Sequence, residues 1–168
     1  METVPSHGRR LFACLLDWYL CSVLITAMQK LLTELSHASI RSLSIEIAIF
    51  AILITIVYVV LIPLWMNGQT IGKKIMKLRI VKLDHTLLTG KDLVLRELLG
   101  AFLIEGSIFA GSDYFRELLQ ILSNQQLLVG LSILSSIITI GSIGYMFFNQ
   151  DRRMFHDLIA RTKVVKIN

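Results

Sequence analysis

The chain has 168 residues, of which 54% are hydrophobic and 17% are charged, and its formal net charge is +5 at pH 7. Soluble domains are less apolar and about 25% charged, whereas disordered chains combine low hydrophobicity with high charge. The composition therefore excludes disorder and favours one membrane-embedded domain over residues 1-168.

Four apolar stretches are each long enough to cross a bilayer, which needs about 20 mostly apolar residues. Residues 47–66 and 127–148 contain no charged side chain at all. The predicted transmembrane helices lie at about residues 10-30, 46-66, 93-111 and 126-148.

The segments between these helices carry weaker signals. In the loop 67-92, polar and apolar residues alternate over 79–83 and predict a strand. A turn at Asp84-His85 and a returning strand at 86–88 would complete a β-hairpin. In the tail 149-168, residues 162–167 also have strand composition, so one small sheet could contain both. We find no internal repeat in the sequence.

An amphipathic helix is predicted at residues 112–122, lying in the interface before the fourth span. The predicted fold is therefore an all-α membrane protein. It has four transmembrane helices, a small cytoplasmic β-hairpin between the second and third, and this interfacial helix before the fourth.

The basic residues are distributed unevenly along the chain. Residues 1–10, 67–96 and the tail hold 14 of the 17 Lys and Arg residues, and the two remaining loops hold three. By the positive-inside rule, this predicts a multipass protein of the cytoplasmic membrane with both termini and the middle loop cytoplasmic. The basic face would attract anionic headgroups. Nucleic-acid binding is not indicated, because no basic patch is interleaved with aromatic residues.

Charged side chains inside the bilayer cost a few kcal/mol each unless they are paired or hydrated, so they are the candidate functional residues. Two interpretations stay open. Asp17 could pair with Arg10 or Arg96 and fix two helices together, or Asp17 and Glu105 could bind protons or cations. The proposed intramembrane charged network contains Arg10, Asp17, Arg96, Glu105 and Asp157.

Four segments in order resemble the RDD family of small bacterial membrane proteins, named for an arginine and two aspartates. They are residues 9–17 (RRLFACLLD), residues 68–81 (GQTIGKKIMKLRIV), Arg96, and residues 153–165 (RMFHDLIARTKVV). The resemblance implies that Arg10, Asp17 and Asp157 are the eponymous residues, in a multipass protein of the bacterial cytoplasmic membrane.

The chain departs from the family pattern at two places. Arg161 stands where the family usually has a glycine, and Asp84-His85 stands where it has Asp-Gly. These departures put the geometry of the tail and the type of the hairpin turn in doubt.

Two function classes remain open. As a transporter of small cations or protons, the chain would need to form an oligomer, because four helices are few for a complete pathway. A stripe of hydroxyl residues on the fourth helix would line the path or simply allow close helix packing. As an accessory subunit, the chain would bind a partner membrane protein. The stripe contains Ser132, Ser135, Thr139 and Ser142.

We expect no enzyme activity, no cofactor and no metal site. The histidines are scattered along the chain, and no metal-ligand spacing or nucleophile motif is present in the sequence.

Overall fold

A computed structural model describes residues 3–36, 44–84, 86–105, 110–122 and 125–167. Helix α1 spans His7–Ser36 and helix α2 spans Ser44–Trp65. Within α2, one turn at Val57–Leu61 is π-helical. The predicted bounds of the first two apolar helices agree with these helices to within a few residues, except at the C-terminus of the first, where the helix continues beyond the predicted residue 30 to Ser36.

A short helix and a strand follow α2. Helix α3, Ile71–Ile75, begins at Thr70, whose hydroxyl oxygen accepts a hydrogen bond from the backbone N–H of Lys73 at 3.3 Å. The chain then turns at Lys77, which has a left-handed φ of 54°, and enters strand β1, Leu78–Lys82.

The second half of the chain repeats this order. Helix α4, Gly90–Leu93, continues as a π-helical segment, Val94–Glu105. The remaining elements are helix α5 (Ala110–Leu122), helix α6 (Gln125–Phe148), helix α7 (Phe155–Ile159) and strand β2 (Thr162–Lys166).

The two strands form one antiparallel sheet, with Ile80 opposite Val164. The predicted β-hairpin is therefore wrong, because residues 86–89 are not in a strand. Leu87 is 90% exposed, so that segment gains little by folding back, whereas Ile80 and Val164 are at most 3% exposed. Burial of apolar side chains on a shared face selects β2 as the partner of β1.

Corresponding elements of the two halves are 84 residues apart. Helices α3 and α7 begin at 71 and 155, and β1 and β2 begin at 78 and 162. Each strand is preceded by a left-handed residue, Lys77 and Arg161, also 84 apart. Ile80 and Val164 have the same separation and face each other, so an approximate two-fold axis passes through the centre of the sheet. The two halves of the chain therefore form an internal structural repeat, which the sequence did not reveal.

Within the described part of the chain, three helices are long and apolar enough to cross a membrane: His7–Ser36, Ser44–Trp65 and Val129–Phe148. The described residues of the third predicted span belong mainly to the π-helical segment, and Ala110 and Gly111 belong to α5. In the repeat, these two segments together correspond to α1.

Helix α5 packs lengthwise against α1 and α2, which differs from the predicted interfacial position. Tyr114 packs against a cluster formed by Cys21, Ile25 and Ala51. Gly111 lies so close to Thr55 that a larger side chain would collide with it. These contacts lie along the middle of α1 and α2.

Candidate functional site

The side chain of Asp17 is held at the start of α3. Its Oδ1 accepts hydrogen bonds from the Tyr58 hydroxyl at 2.7 Å and from the Gly72 backbone N–H at 2.8 Å. Its Oδ2 accepts one from the Thr70 hydroxyl at 2.5 Å and lies 3.7 Å from the Lys73 ammonium. Asp17 is only 5% exposed, and all of its partners belong to the first half of the chain.

Glycine at position 72 makes this arrangement possible. A Cβ there would lie 2.5 Å from the carbonyl oxygen of Ala13 and 2.8 Å from Oδ1 of Asp17. The backbone of α3 therefore touches α1 directly, and any side chain would push the two helices apart.

Glu105 occupies the equivalent place in the second half. Its Oε1 accepts hydrogen bonds from the Ser142 hydroxyl at 2.7 Å and from the His156 backbone N–H at 3.0 Å. Ser142 and His156 stand 84 residues after Tyr58 and Gly72, the corresponding donors to Asp17. The two carboxylates thus lie in homologous hydrogen-bonding sites, and Glu105 is fully buried.

Asp157 joins both halves through two arginines. Its Oδ2 accepts a hydrogen bond from Arg10 Nη2 at 2.6 Å, and its Oδ1 accepts two from Arg96, from Nε at 2.9 Å and from Nη2 at 2.8 Å. The backbone N–H of Met154 also donates to Oδ2, at 3.1 Å. Burial alone would raise the pKa of Asp157, but the guanidinium groups of Arg96 and Arg10 outweigh it and hold the pKa well below its ordinary value.

His156 connects this ion cluster to Glu105. Its Nε2 lies 3.2 Å from Arg96 Nη2, which can only donate, so Nε2 accepts. The ring hydrogen is therefore on Nδ1, which donates to Oε2 of Glu105 at 2.9 Å. Arg96 also contacts Oε1 of Glu97. In this part of the described structure, three carboxylates (Glu97, Glu105 and Asp157) face two guanidinium groups.

Four of the five residues in the predicted network come together: Arg10, Arg96 and Asp157 directly, and Glu105 through His156. Asp17 was expected to pair with Arg10 or Arg96, but its ion-pair partner in the described structure is Lys73.

Sequence reasoning did not select three residues that belong to the same region. Glu97 directly follows Arg96, and this adjacent pair of opposite charges at the mouth of an apolar segment was the available signal. His156 and Lys73 gave no such signal, because both lie in the basic, polar parts of the chain.

The hydroxyl stripe of α6 packs against the π-helical segment and α5. Ser142 and Thr139 both donate to Glu105, to the carboxylate and the backbone carbonyl respectively. Ser135 accepts a hydrogen bond from Arg116 of α5 at 2.5 Å. These contacts agree with close helix packing, the second of the two interpretations of the stripe.

A cavity of about 380 Å³ lies between α1 and α6, next to the carboxylates. Its charged and polar lining includes Asp17, Lys73, Arg96, Glu97, Glu105 and His156. Apolar and aromatic side chains form the rest of its wall, among them Leu11, Leu15, Trp18, Ile143, Met146 and Met154. Among the residues that the structure describes, no group of three or more His, Cys, Asp and Glu side chains is arranged to hold a metal ion.

Comparison with known proteins finds similar sequences over most of the chain. The RDD family matches residues 4–161. The chain is 29% identical over 155 residues to the uncharacterized protein YckC of Bacillus subtilis (strain 168), which covers 92% of this chain and 80% of YckC. No solved structure matches the chain.

Arg10, Asp17 and Asp157 are the three residues that the sequence resemblance to this family singles out. Arg10 and Asp157 form an ion pair, and Asp17 lies in a neighbouring set of hydrogen bonds. The match extends over nearly the whole sequence, and the chain belongs to the RDD family.

Proposed function

We propose that the chain crosses the bacterial cytoplasmic membrane four times, with both termini in the cytoplasm. Three apolar helices provide three spans, and the π-helical segment together with α5 provides the other. The start of α1 and the end of α6 contact α7, which leads into β2, and α2 leads through α3 into β1, so these three helix ends lie on one side, as an up-and-down arrangement requires. The sheet carries the basic residues of the cytoplasmic side, where anionic headgroups would attract them.

Reporter fusions test this topology. Fusions after His37, Thr89, Asn124 and Asn168 should read outside, inside, outside and inside. A cytoplasmic signal from the fusion after Asn124 would show that residues 90–122 do not span the membrane.

We further infer that the protein exchanges small cations for protons. The observation that carries this inference is the Glu105 and His156 pair, which is buried and lines the cavity between α1 and α6. In the described ion cluster, carboxylates outnumber guanidinium groups by one, so uptake of one proton or one monovalent cation would balance the charge. Residues that line a cavity and can exchange a proton are the parts that a proton-coupled carrier requires.

An oligomer is part of this proposal, because a second polar groove lies on the surface of the bundle. It has a volume of about 390 Å³ and is lined by Trp18, Tyr114, Asp113 and Glu117, among others. The Asp113 side chain is 78% exposed, although Tyr114 beside it packs against the middle of α1 and α2. Its Oδ1 lies 3.8 Å from Arg116 Nη1, and an exposed ion pair facing lipid at that depth would still cost free energy. Another copy of the chain or water would remove that cost.

Flux measurements in proteoliposomes test the exchange. When a cation gradient is imposed across the membrane, the parent protein should transport protons in exchange for the cations. Glu105→Gln should abolish this proton flux while the protein stays folded. Asp113→Asn is the matched control, since it removes an acid outside the cavity, and it should retain flux. A parent protein without flux would overturn the proposal.

The alternative is an accessory subunit of a larger membrane complex. The extensive hydrogen bonding of Asp17 and Asp157 favours it, because both carboxylates hold helices together and have several partners each. An accessory subunit would show no flux alone and would co-purify from native membranes with a different membrane protein.

A further inference from the structure

We propose that the cavity between α1 and α6 binds an amphipathic organic cation, with Glu97 as its counter-ion. The proposal rests on the proposed cation exchange and names the chemical class of the cation. Binding can be measured without flux, so the two proposals can fail separately.

The size and lining of the cavity point to an organic ligand. Small-molecule sites occupy about 300 to 1,000 Å³ and are mostly apolar, with a few polar groups that orient the ligand. This cavity has about 380 Å³, and Leu11, Leu15, Ile143 and Met146 form much of its wall. A bare metal ion requires several oxygen ligands close together, and among the described residues no three His, Cys, Asp or Glu side chains are grouped to supply them.

The hydrogen bonds of the lining residues decide the sign of the ligand's charge. Arg96 uses Nε, Nη1 and Nη2 on neighbouring side chains, and Arg10 uses Nη2 on Asp157 and Nη1 on the carbonyl of Arg152. Neither guanidinium group is aimed at an incoming anion. Glu97, in contrast, accepts a hydrogen bond from Arg96 through Oε1, and its Oε2 has no hydrogen-bond or ion-pair partner among the described residues. That oxygen is the acceptor available to a cation.

The internal repeat places this acid at a special position. The cavity is lined by pairs of residues 84 apart, including Val59 with Ile143 and Ala13 with Glu97, so it lies between the two halves near their axis. In the first half, Ala13 occupies the position equivalent to Glu97, so packing at this position requires no charged side chain. Glu97 therefore adds a charge that packing alone does not require.

Trp18 supplies a second recognition element. Its ring lines the cavity and is 46% exposed, so part of the indole is accessible. A cation over an indole face is attracted by the ring quadrupole, and apolar substituents on the cation would contact the surrounding Leu and Met side chains. Glu97, Trp18 and the apolar wall together match a hydrophobic cation.

Equilibrium dialysis of tetraphenylphosphonium against the full chain in nanodiscs tests this site. Tetraphenylborate has the same shape and the opposite charge. We expect saturable binding of the phosphonium above that of empty nanodiscs and no saturable binding of the borate. Saturable binding of both ions with equal affinity, or of neither, would overturn the proposal.

Variants locate the site. Glu97→Gln should weaken phosphonium binding about ten-fold or more, because a close charge pair is lost. Glu117→Gln, which removes an acid from the surface groove, should leave the affinity unchanged. Unchanged binding by a folded Glu97→Gln protein would contradict the assignment.

A second variant covers the case in which Glu97→Gln does not fold. Ile143→Trp fills the cavity without altering any charge and should abolish saturable binding; retained binding would place the ligand elsewhere. Phosphonium binding by a parent protein that shows no proton-coupled flux would support this binding site and refute only the proposed exchange. Proton-coupled flux of inorganic cations without phosphonium binding would refute only this site.

Discussion

Replacement of Asp157 by asparagine should strongly destabilise the protein. Asp157 is fully buried and accepts three hydrogen bonds from Arg10 and Arg96, at 2.6 to 2.9 Å, together with one from the backbone of Met154. Asparagine has nearly the same volume, but it removes the negative charge between two buried guanidinium groups. Breaking a buried ion pair in this way costs about 3 to 5 kcal/mol, because one partner keeps its charge without compensation.

Thermal unfolding in detergent measures this cost. For a chain of this size, each kcal/mol lowers the unfolding temperature by about 2 to 4 °C, so Asp157→Asn should lower it by at least about 6 °C. The control is Asp151→Asn, in which the carboxylate is 44% exposed and lies 3.4 Å from Arg153, and such surface pairs contribute about 0 to 1 kcal/mol. Equal unfolding temperatures for the two variants would refute the role assigned to Asp157.

Three further outcomes follow from the structure. A Cβ at Gly72 would lie 2.5 Å from the Ala13 carbonyl oxygen, so Gly72→Ala should lower the free energy of unfolding by about 1 to 3 kcal/mol. Gly130→Ala is the control, because a Cβ there has nothing within 4 Å, and it should be neutral or stabilising. Equal unfolding temperatures for the two variants would contradict the close approach of α3 to α1. Arg161 has a φ of 51°, so Arg161→Gly should change the free energy of unfolding by less than about 1 kcal/mol, since relief of strain offsets the entropy of glycine, and a larger loss would contradict this account. Because the pKa of Asp157 is lowered in the folded state, its carboxylate stabilises the fold above the ordinary aspartate pKa, and this stability is lost as the pH falls towards the folded-state pKa. Below about pH 4, the unfolding temperature of the parent should therefore fall more steeply with decreasing pH than that of Asp157→Asn. Parallel curves would exclude this residue as the cause.

The helices α2 and α6 and the strand β1 could be predicted because their signals are local. Uncharged apolar runs and period-two alternation depend only on neighbouring residues. The strand composition of residues 162–167 correctly indicated that one sheet could contain both segments. That β1 pairs with β2 and not with residues 86–88 could not be predicted, since the pairing of Ile80 with Val164 depends on burial between residues 84 positions apart. The internal repeat was hidden for a related reason: equivalent positions keep their backbone geometry but not their residue type, as Gly72 and His156 illustrate.

The same distinction applies to the candidate site. Arg10, Arg96 and Asp157 could be selected because charge is costly in an apolar segment or because the family motif contains them. The partners of Asp17 could not be selected, since they depend on how α3 docks against α1 through the Gly72 backbone. The glycine usual in the family at position 161 is explained by the structure, because that residue adopts a left-handed conformation.

Proton-coupled cation flux in proteoliposomes, compared between the parent protein and Glu105→Gln, tests the central claim most directly. If Glu105 and His156 exchange the proton, the parent shows flux, and folded Glu105→Gln loses it while Asp113→Asn retains it. An inactive parent, or undiminished flux in folded Glu105→Gln, would contradict the account.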